Sequence, residues 1–270
     1  MTAPADVATA LAALPGWIDS EMVEVIDLTH VLDDKTPPIR LPPPKVSPPR
    51  FTLRELSRYD ARGEHEYWNA FETGEHVGTH FDAPVHWHTG RELEDVSAVP
   101  AQRLIAPASV LDVSDACAGD PDHLVTVDDV QDFERVHGGL PEGGWLLIRT
   151  GWDRRYGDER SFLGLDEEDR PHWPGVTVEC ARWLADEAPV IGLGIDCIGT
   201  DAASSHEFDP PHPAHHFLHG AGKYGMSLLA NLHRLPAVGA VVIAAPLRIG
   251  GGSGSPMRAL ALVARGERLT

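Results

Sequence analysis

Residues 76–86 read His-Val-Gly-Thr-His-Phe-Asp-Ala-Pro-Val-His, and this stretch carries the strongest chemical signal in the chain. His76, His80, Asp82 and His86 fall close together, around a Gly-Thr turn. Imidazole nitrogens and a carboxylate oxygen suit zinc, manganese and similar divalent ions. Three such ligands with an open position are typical of a catalytic metal site, and a fourth imidazole nearby is suited to moving protons. The chain has 15 His, so chance clustering is the alternative interpretation.

The motif His76-x-Gly78-Thr79-His80-x-Asp82-x-Pro84-x-His86 resembles the signature of the metal-dependent cyclase/hydrolase family, which includes bacterial kynurenine formamidases and isatin hydrolase. Weaker matches follow in the family's order at residues 26–30, 147–152, 194–196, 213–216, 230–232 and 251–256. The resemblance implies an α/β fold with a central barrel-like β-sheet flanked by helices, and a homo-oligomer, either a dimer or a tetramer. No internal repeat or linker stands out, so residues 1–270 are expected to form a single domain.

The resemblance also implies the roles of individual residues. His76, His80 and Asp82 would bind the metal, His215 would be a further ligand, and His86 would be the catalytic acid or base. In formamidase-like members a Glu lies twelve residues after the last His and completes a second metal site, but here that position is Ser227. Because a hydroxyl is a poor ligand beside a carboxylate, we expect one divalent ion, zinc or manganese, or a second ion that is held weakly.

Further polar candidates lie in the second half of the chain. A His-rich patch contains His206, His212, His215, His216 and His219, and the residues alone do not separate His215 from His216 as the ligand. Asp196 and Asp201 bracket a loop after a buried strand, where they are either functional groups or turn-capping carboxylates. His88 is either a substrate contact or a surface residue.

Several residues near the motif in sequence are candidates for a pocket that holds a flat substrate. The aromatic candidates are Trp68, Phe81, Trp87, Trp152 and Tyr224, and Ser227 is the polar one. For each aromatic residue, a place in the hydrophobic core is the alternative.

Composition limits the partners. The formal net charge is −19, which opposes binding to nucleic acid or to anionic membranes, and 42% hydrophobic residues are ordinary for a globular protein. The three Cys are widely spaced, which does not suggest a disulfide framework and fits a reducing cytoplasm. No signal peptide is recognisable, and no apolar segment approaches the roughly 20 residues of a membrane helix. We therefore expect a cytoplasmic protein with a small-molecule substrate.

Local patterns predict the elements that carry these residues. An N-terminal helical extension covers residues 1–22, with a helix over 7–14 that Pro15-Gly16 would end. The pattern predicts strands at 23–28, 67–73, 104–113, 145–150, 190–195 and 237–245, the last being the final central strand, and helices at 126–137, 176–187 and 225–232. The proline-rich segment 37–49 is expected to be an extended loop, acting as a lid, a dimer arm or an inert crossing. The metal-binding residues are expected on a loop between strands.

These observations favour a metal-dependent hydrolase. It would use metal-activated water to open an amide, imide or lactone bond of a small cyclic or aromatic substrate, with His86 moving the proton, because the pKa of His lies near neutrality. The alternatives are a kynurenine formamidase, a metal-dependent cyclase or lyase, and a non-catalytic metal- or ligand-binding relic. A relic has no need of a proton carrier, so the presence of His86 counts against it.

Overall fold

The computed structural model describes residues 7–41 and 44–265, which form twelve strands and five α-helices, besides six short 3-10 helices and a π-helical turn at His215–His219. The strands are β1 (Val23–Asp27), β2 (Thr52–Asp60), β3 (Gly63–Glu72), β4 (His80–Asp82), β5 (Ile105–Asp112), β6 (Leu124–Val125), β7 (Trp145–Arg149), β8 (Gly175–Val176), β9 (Gly192–Ile195), β10 (Tyr224–Ser227), β11 (Ala240–Pro246) and β12 (Gly254–Ala264). The helices are α1 (Val7–Asp19), α2 (Ser114–Gly119), α3 (Val127–His137), α4 (Glu159–Phe162) and α5 (Val178–Asp186). No helix in the described part of the chain has the length and apolar character to cross a membrane.

The main sheet closes on itself. Its strands follow the order β12-β11-β5-β7-β9-β10-β4, and β4 pairs again with β12, so that these seven strands form a barrel while β1 lies along β12. Neighbours from β5 to β10 run parallel, and the remaining pairs are antiparallel. The expected α/β fold with a barrel-like sheet is therefore confirmed. Strand β4 is the short element that closes the barrel.

Strand β7 shows how the barrel and its outer layer share the core. Trp145 and Leu147 point into the barrel interior, where Phe81, Tyr224 and Met226 also lie. Leu146 and Ile148 point outward into a second cluster formed with α3 and α5. Because both faces of β7 are buried, its sequence is a continuous apolar run, as in other covered parallel sheets.

Helices α3 and α5 begin within two residues of their predicted starts, at Val127 and Val178. Thr126 caps α3 through a reciprocal pair, in which its hydroxyl accepts from Asp129 N at 3.2 Å and Asp129 accepts from Thr126 N at 2.8 Å. At the C-terminal end of α5, the Lys223 ammonium donates to the carbonyl of Leu184 at 2.6 Å and to that of Ala188, just after the helix, at 2.8 Å. These bonds fix α5 against the segment that leads into β10.

The structure corrects several local predictions. Residues 225–232 do not form a helix, because Tyr224–Ser227 is a fully buried strand between β9 and β4, and a short apolar run does not distinguish the two. Pro15 does not end α1, since Gly16 O still accepts from Ser20 N at 3.0 Å. Strand β11 is not the last, because β12 follows the Gly-rich run.

The proline-rich segment contains neither helix nor strand at its described positions, 37–41 and 44–49, and it turns at Pro44 and Lys45. Arg40, near the start of the segment, and Arg50, directly after it, both pair with the carboxylate of Glu159 at the start of α4. The segment is therefore tied at both ends to the body of the protein. This attachment matters below, since Ile39 and Leu41 line a cavity.

The close packing around β9 gives a stability prediction. A Cβ at Gly192 would lie 2.4 Å from Trp145 Cζ3 and 2.5 Å from Tyr224 O, so Gly192→Ala should cost about 1–3 kcal/mol in the free energy of unfolding. A Cβ at Gly16, within α1, meets nothing within 4 Å. Gly16→Ala is the matched control and should stabilise the protein by about 0.5–1 kcal/mol. Urea titration of both variants would measure the difference, and wild-type stability in Gly192→Ala would contradict the packing.

Candidate active site

Strand β4 presents two of the predicted metal ligands on one face. It pairs with β10 on one side and with β12 on the other. Because side chains alternate along a strand, His80 and Asp82 share the outer face while Phe81 points into the barrel. The expectation that the ligands lie on a loop is thus wrong for these two residues. His76 lies in the turn before β4, where Gly78 adopts a left-handed conformation with φ +69°.

His76, His80 and Asp82 converge on one carboxylate oxygen. Asp82 Oδ1 lies 2.7 Å from His76 Nδ1 and 3.4 Å from His80 Nε2, and Asp82 is only 1% exposed. Burial opposes the charge on Asp82, but positive charge on His80 and a hydrogen bond from His76, both present when these rings are protonated, outweigh it and lower the Asp82 pKa well below its usual range. Burial lowers the pKa of His80, which favours the neutral ring that binds metal ions.

Hydrogen bonds on the far side of each ring determine which nitrogens face Asp82 as acceptors. His80 Nδ1 donates to Gly78 O at 2.7 Å, so its Nε2 carries a lone pair. Ser253 Oγ donates to Glu75 at 2.6 Å and therefore accepts from His76 Nε2 at 2.8 Å. That leaves a lone pair on His76 Nδ1 as well. Two nitrogen lone pairs and a buried carboxylate oxygen repel one another unless a cation lies among them, so this donor set fits a divalent ion.

A second group of possible ligands shares Asp82. The ligand atoms of Asp82, His215 and His219 lie within 4.8 Å of one another. His215 Nδ1 bonds to Asp201 at 2.5 Å, and His219 Nδ1 donates to Lys223 O at 3.0 Å, so both rings keep Nε2 as an acceptor. Burial alone would lower the pKa of His215, but the bond to Asp201 outweighs burial and raises it. The predicted ligand His215 therefore groups with Asp82 and His219.

His86 lies against both groups without belonging to either. Its ring stacks on His76 at 3.8 Å between centroids, with His215 at 5.4 Å and His219 at 5.9 Å. Burial, followed by the neighbouring His76, lowers its pKa to about 2. Its side chain forms no hydrogen bond with the residues that the structure describes. Its free nitrogens at the edge of a metal-binding cluster give His86 the position of a proton acceptor, while burial makes the ring a weak base that the nearby Asp82 carboxylate partly strengthens.

The candidate substrate contacts are dispersed. Phe81 and Tyr224 pack together in the barrel core, and Trp152 is buried with its indole donating to Phe162 O at 2.7 Å. Trp68 is 56% exposed on β3. Only two candidates are close to the cluster: Trp87, which packs against His215, and Ser227, which lies opposite His80 on the same face. The aromatic residues close in sequence are thus mostly core or surface.

Among the remaining polar candidates, Asp201 lies at the cluster, whereas Asp196, His216 and His88 lie elsewhere. Asp201 accepts from the backbone amides of Ala214 and His215 as well as from the His215 ring, so it orients the imidazole. Asp196 instead caps the turn after β7 through Thr150 and Gly151, and burial raises its pKa to about 6. His216 and His88 lie against each other away from the cluster, with ring centroids 5.5 Å apart.

Two residues at the cluster, Glu75 and Ser253, were not singled out from sequence, and a third, His219, was named only as a member of the His-rich patch. Glu75 and Ser253 hold the far nitrogen of His76, and His219 completes the second group. The position of Glu75 beside His76 was the only local signal. Ser253 lies 177 residues from His76 and reaches it only because β12 pairs with β4.

Comparison with known proteins agrees with this geometry. A family model described as a putative cyclase matches residues 26–202. The chain is 46% identical to the isatin hydrolase of Roseibium aggregatum over 94% of this chain and 97% of that protein. It is 31% identical to the kynurenine formamidase of Salinibacter ruber over 68% of this chain and 74% of that protein. A crystal structure of an isatin hydrolase bound to the product analogue thioisatinate superposes with a TM-score of 0.93, at 44% identity, covering 97% of this chain and all of that one.

These relationships confirm the expected family, the fold class and the class of enzyme, a metal-dependent hydrolase. The two His and Asp groups described above are the positions in the described part of the chain that could hold a metal ion. The family model matches most of the chain, and the alignment with the isatin hydrolase covers nearly the full length of both proteins. The chain therefore belongs to the cyclase family.

Proposed function

We propose that this enzyme hydrolyses the ring amide of isatin-like substrates, in which a five-membered cyclic amide is fused to an aromatic ring. The observation that carries the proposal is the convergence of His76 and His80 on buried Asp82, with unbonded His86 against them. The near full-length similarity to an isatin hydrolase supports the substrate class.

His76, His80 and Asp82 would hold one divalent ion, zinc or manganese, with His215 close by. When bound there, such an ion supplies a Lewis acid that lowers the pKa of water toward about 7 and polarises the carbonyl of the amide. Glu75 and Asp201 support this site indirectly, because Glu75, acting through Ser253, and Asp201, acting on His215, fix the orientation of the rings.

His86 would carry the proton through the reaction. Its neutral ring accepts a proton from the attacking water as the oxygen bonds to the amide carbon. It then gives that proton to the ring nitrogen as the C–N bond breaks, which leaves an amine and a carboxylic acid, and the acid becomes a carboxylate by releasing the second proton of the water to solvent. Its position between His76, His215 and His219 allows both transfers without a large movement.

The kynurenine formamidase alternative depends on position 227. Ser227 lies opposite His80 and shares its face, at the point where formamidase-like members carry a carboxylate. Residues 216–266 contain no Asp or Glu, so no other acidic side chain from this part of the chain takes its place. The missing carboxylate favours the ring amide over the formamide.

Kinetics on isatin test the reaction and the role of His86 together. Wild type should open isatin and incorporate one oxygen from ¹⁸O-labelled water, whereas N-formylkynurenine should react far more slowly. His86→Ala should lower kcat by about 10²–10⁴-fold, because the water and the leaving nitrogen lose their proton carrier. Metal content should stay at the wild-type level.

The exposed His233 gives the control for that experiment, since His233→Ala removes an imidazole far from the cluster and should leave kcat unchanged. A product without solvent oxygen would exclude hydrolysis and favour a lyase. Wild-type turnover in His86→Ala would remove His86 from the mechanism.

Elemental analysis tests the metal site. Wild type should contain about one zinc or manganese ion per chain, and Asp82→Asn should lose it, because the shared carboxylate supplies the negative charge. Asp115→Asn, an exposed carboxylate on α2, is the matched control and should keep the ion. Two ions in wild type and one in His219→Ala would contradict the single-ion proposal and assign the second ion to Asp82, His215 and His219.

We also propose that the enzyme is a homo-oligomer that uses the β2–β3 hairpin. The hairpin forms a separate two-stranded sheet, and a hairpin of this kind is marginally stable in water by itself. It exposes large apolar side chains: Leu53, Tyr59, Tyr67, Trp68 and Phe71. Packing against a second copy would cover this surface.

The three buried free thiols agree with the cytoplasm as the compartment of this protein.

Light scattering after size exclusion tests the hairpin. Replacing Trp68 and Phe71 together by Glu should lower the mass to that of a smaller assembly, because charge at a buried apolar interface opposes association. Val136→Glu, at a 76% exposed apolar position on α3, is the control and should leave the mass unchanged. An unchanged mass in the double variant would exclude the hairpin as the interface.

A further inference from the structure

A cavity of about 550 Å³ lies against the pair formed by His215 and Asp201. Its volume falls within the range of small-molecule sites, roughly 300–1,000 Å³. Most of its wall is apolar, contributed by Ile39, Leu41, Pro171, Trp173, Ile198 and Ala202. Since His215 lies beside the proposed metal site, the cavity adjoins the reaction centre at that residue.

Trp173 is the aromatic residue among the described residues that line this cavity. Its indole Nε1 donates to Asp201 O at 2.9 Å, and its own carbonyl accepts from Ala203 N at 3.1 Å. The indole is therefore fixed to the same residue that orients His215. A ring held in this way provides a preorganised surface for a flat ligand and loses little entropy when the ligand binds.

A second part of the cavity wall is also held in place. Ile39 and Leu41 come from the proline-rich segment, which is tied to α4 by the pairing of Arg40 and Arg50 with Glu159. Proline restricts the backbone of the unbound segment, so its wall needs little ordering when a ligand enters. The cavity thus has two fixed walls, with the His215–Asp201 pair at its boundary.

We propose that Trp173 is the specificity-determining residue that binds the benzo ring of the substrate in this cavity. The proposal rests on the proposed function and adds to it the position of the aromatic part of the substrate. The amide carbonyl then lies at the His215 end, and the fused ring lies between Trp173 and the wall formed by Ile39 and Leu41. Aromatic cyclic amides are favoured over aliphatic ones because an aromatic ring packs on the indole.

Steady-state kinetics on isatin would test Trp173. Trp173→Ala should raise KM by about tenfold, with the loss in kcat/KM carried mainly by KM, because the ring contact is worth about 1.4 kcal/mol. Trp173→Phe keeps an aromatic ring but loses the N–H that bonds to Asp201, and it should recover most of the wild-type KM. Trp17→Ala removes a Trp from α1, which has no buried residues, and should leave both constants unchanged.

The Phe variant separates a ring contact from a structural effect. An equal loss in Trp173→Phe and Trp173→Ala would overturn the proposal, since the bond to Asp201 would then explain the result. An unchanged KM in Trp173→Ala would overturn it as well.

Calorimetry with thioisatinate tests binding without turnover. Wild type should bind thioisatinate, and Trp173→Ala should bind it about tenfold more weakly. Binding that depends on Trp173, in a wild type that does not hydrolyse isatin, would support the cavity and overturn the proposed reaction. No binding to wild type would overturn both.

Discussion

The buried carboxylate of Asp82 is the constraint on which the site depends. A charge that is 1% exposed is unfavourable unless a partner compensates for it, and because the neutral imidazoles of the same motif face Asp82 with lone pairs, a divalent ion among them would be that partner. Glycine residues on the two flanking strands leave the space that this arrangement needs. A Cβ at Gly225 would lie 2.6 Å from Asp82 Oδ2, and one at Gly254 would lie 2.5 Å from His76 Cε1. Both neighbours of β4 therefore carry glycine where the site is most crowded.

The strand pairings that close the barrel are also the ones that assemble the site. Strand β4 has only three residues, yet it joins β10 to β12 and completes the ring of strands. On its inner side Phe81 fills the barrel core, and on its outer side His80 and Asp82 face the cluster. Because β12 also brings Ser253 to His76, the hydrogen bond that sets the His76 ring exists only when the barrel is closed. Stability of the core and geometry of the site are thus coupled through one short strand.

Local chemistry was readable from the sequence, whereas long-range pairing was not. The motif spacing identified His76, His80, Asp82 and His86, which the structure does bring together. Ser253 was missed because no local sequence pattern indicates that it contacts His76, which is 177 positions away. The expected helix at 225–232 failed for a related reason. A short apolar run fits either a buried helix or a buried strand, and only pairing with β4 and β9 decides.

Hydrogen bonding separates the imidazoles of the cluster into those suited to bind a metal ion and the one suited to carry a proton. Four of them are held through one ring nitrogen: His76 by Ser253, His80 by Gly78, His215 by Asp201 and His219 by Lys223. A ring fixed in this way presents one lone pair in a constant direction, which suits a ligand and hinders rotation or exchange of protons. His86 has no such partner among the described residues, and it packs against three of the four. A proton carrier must gain and lose a proton in each cycle, so the one ring that is not committed elsewhere is the one able to do it.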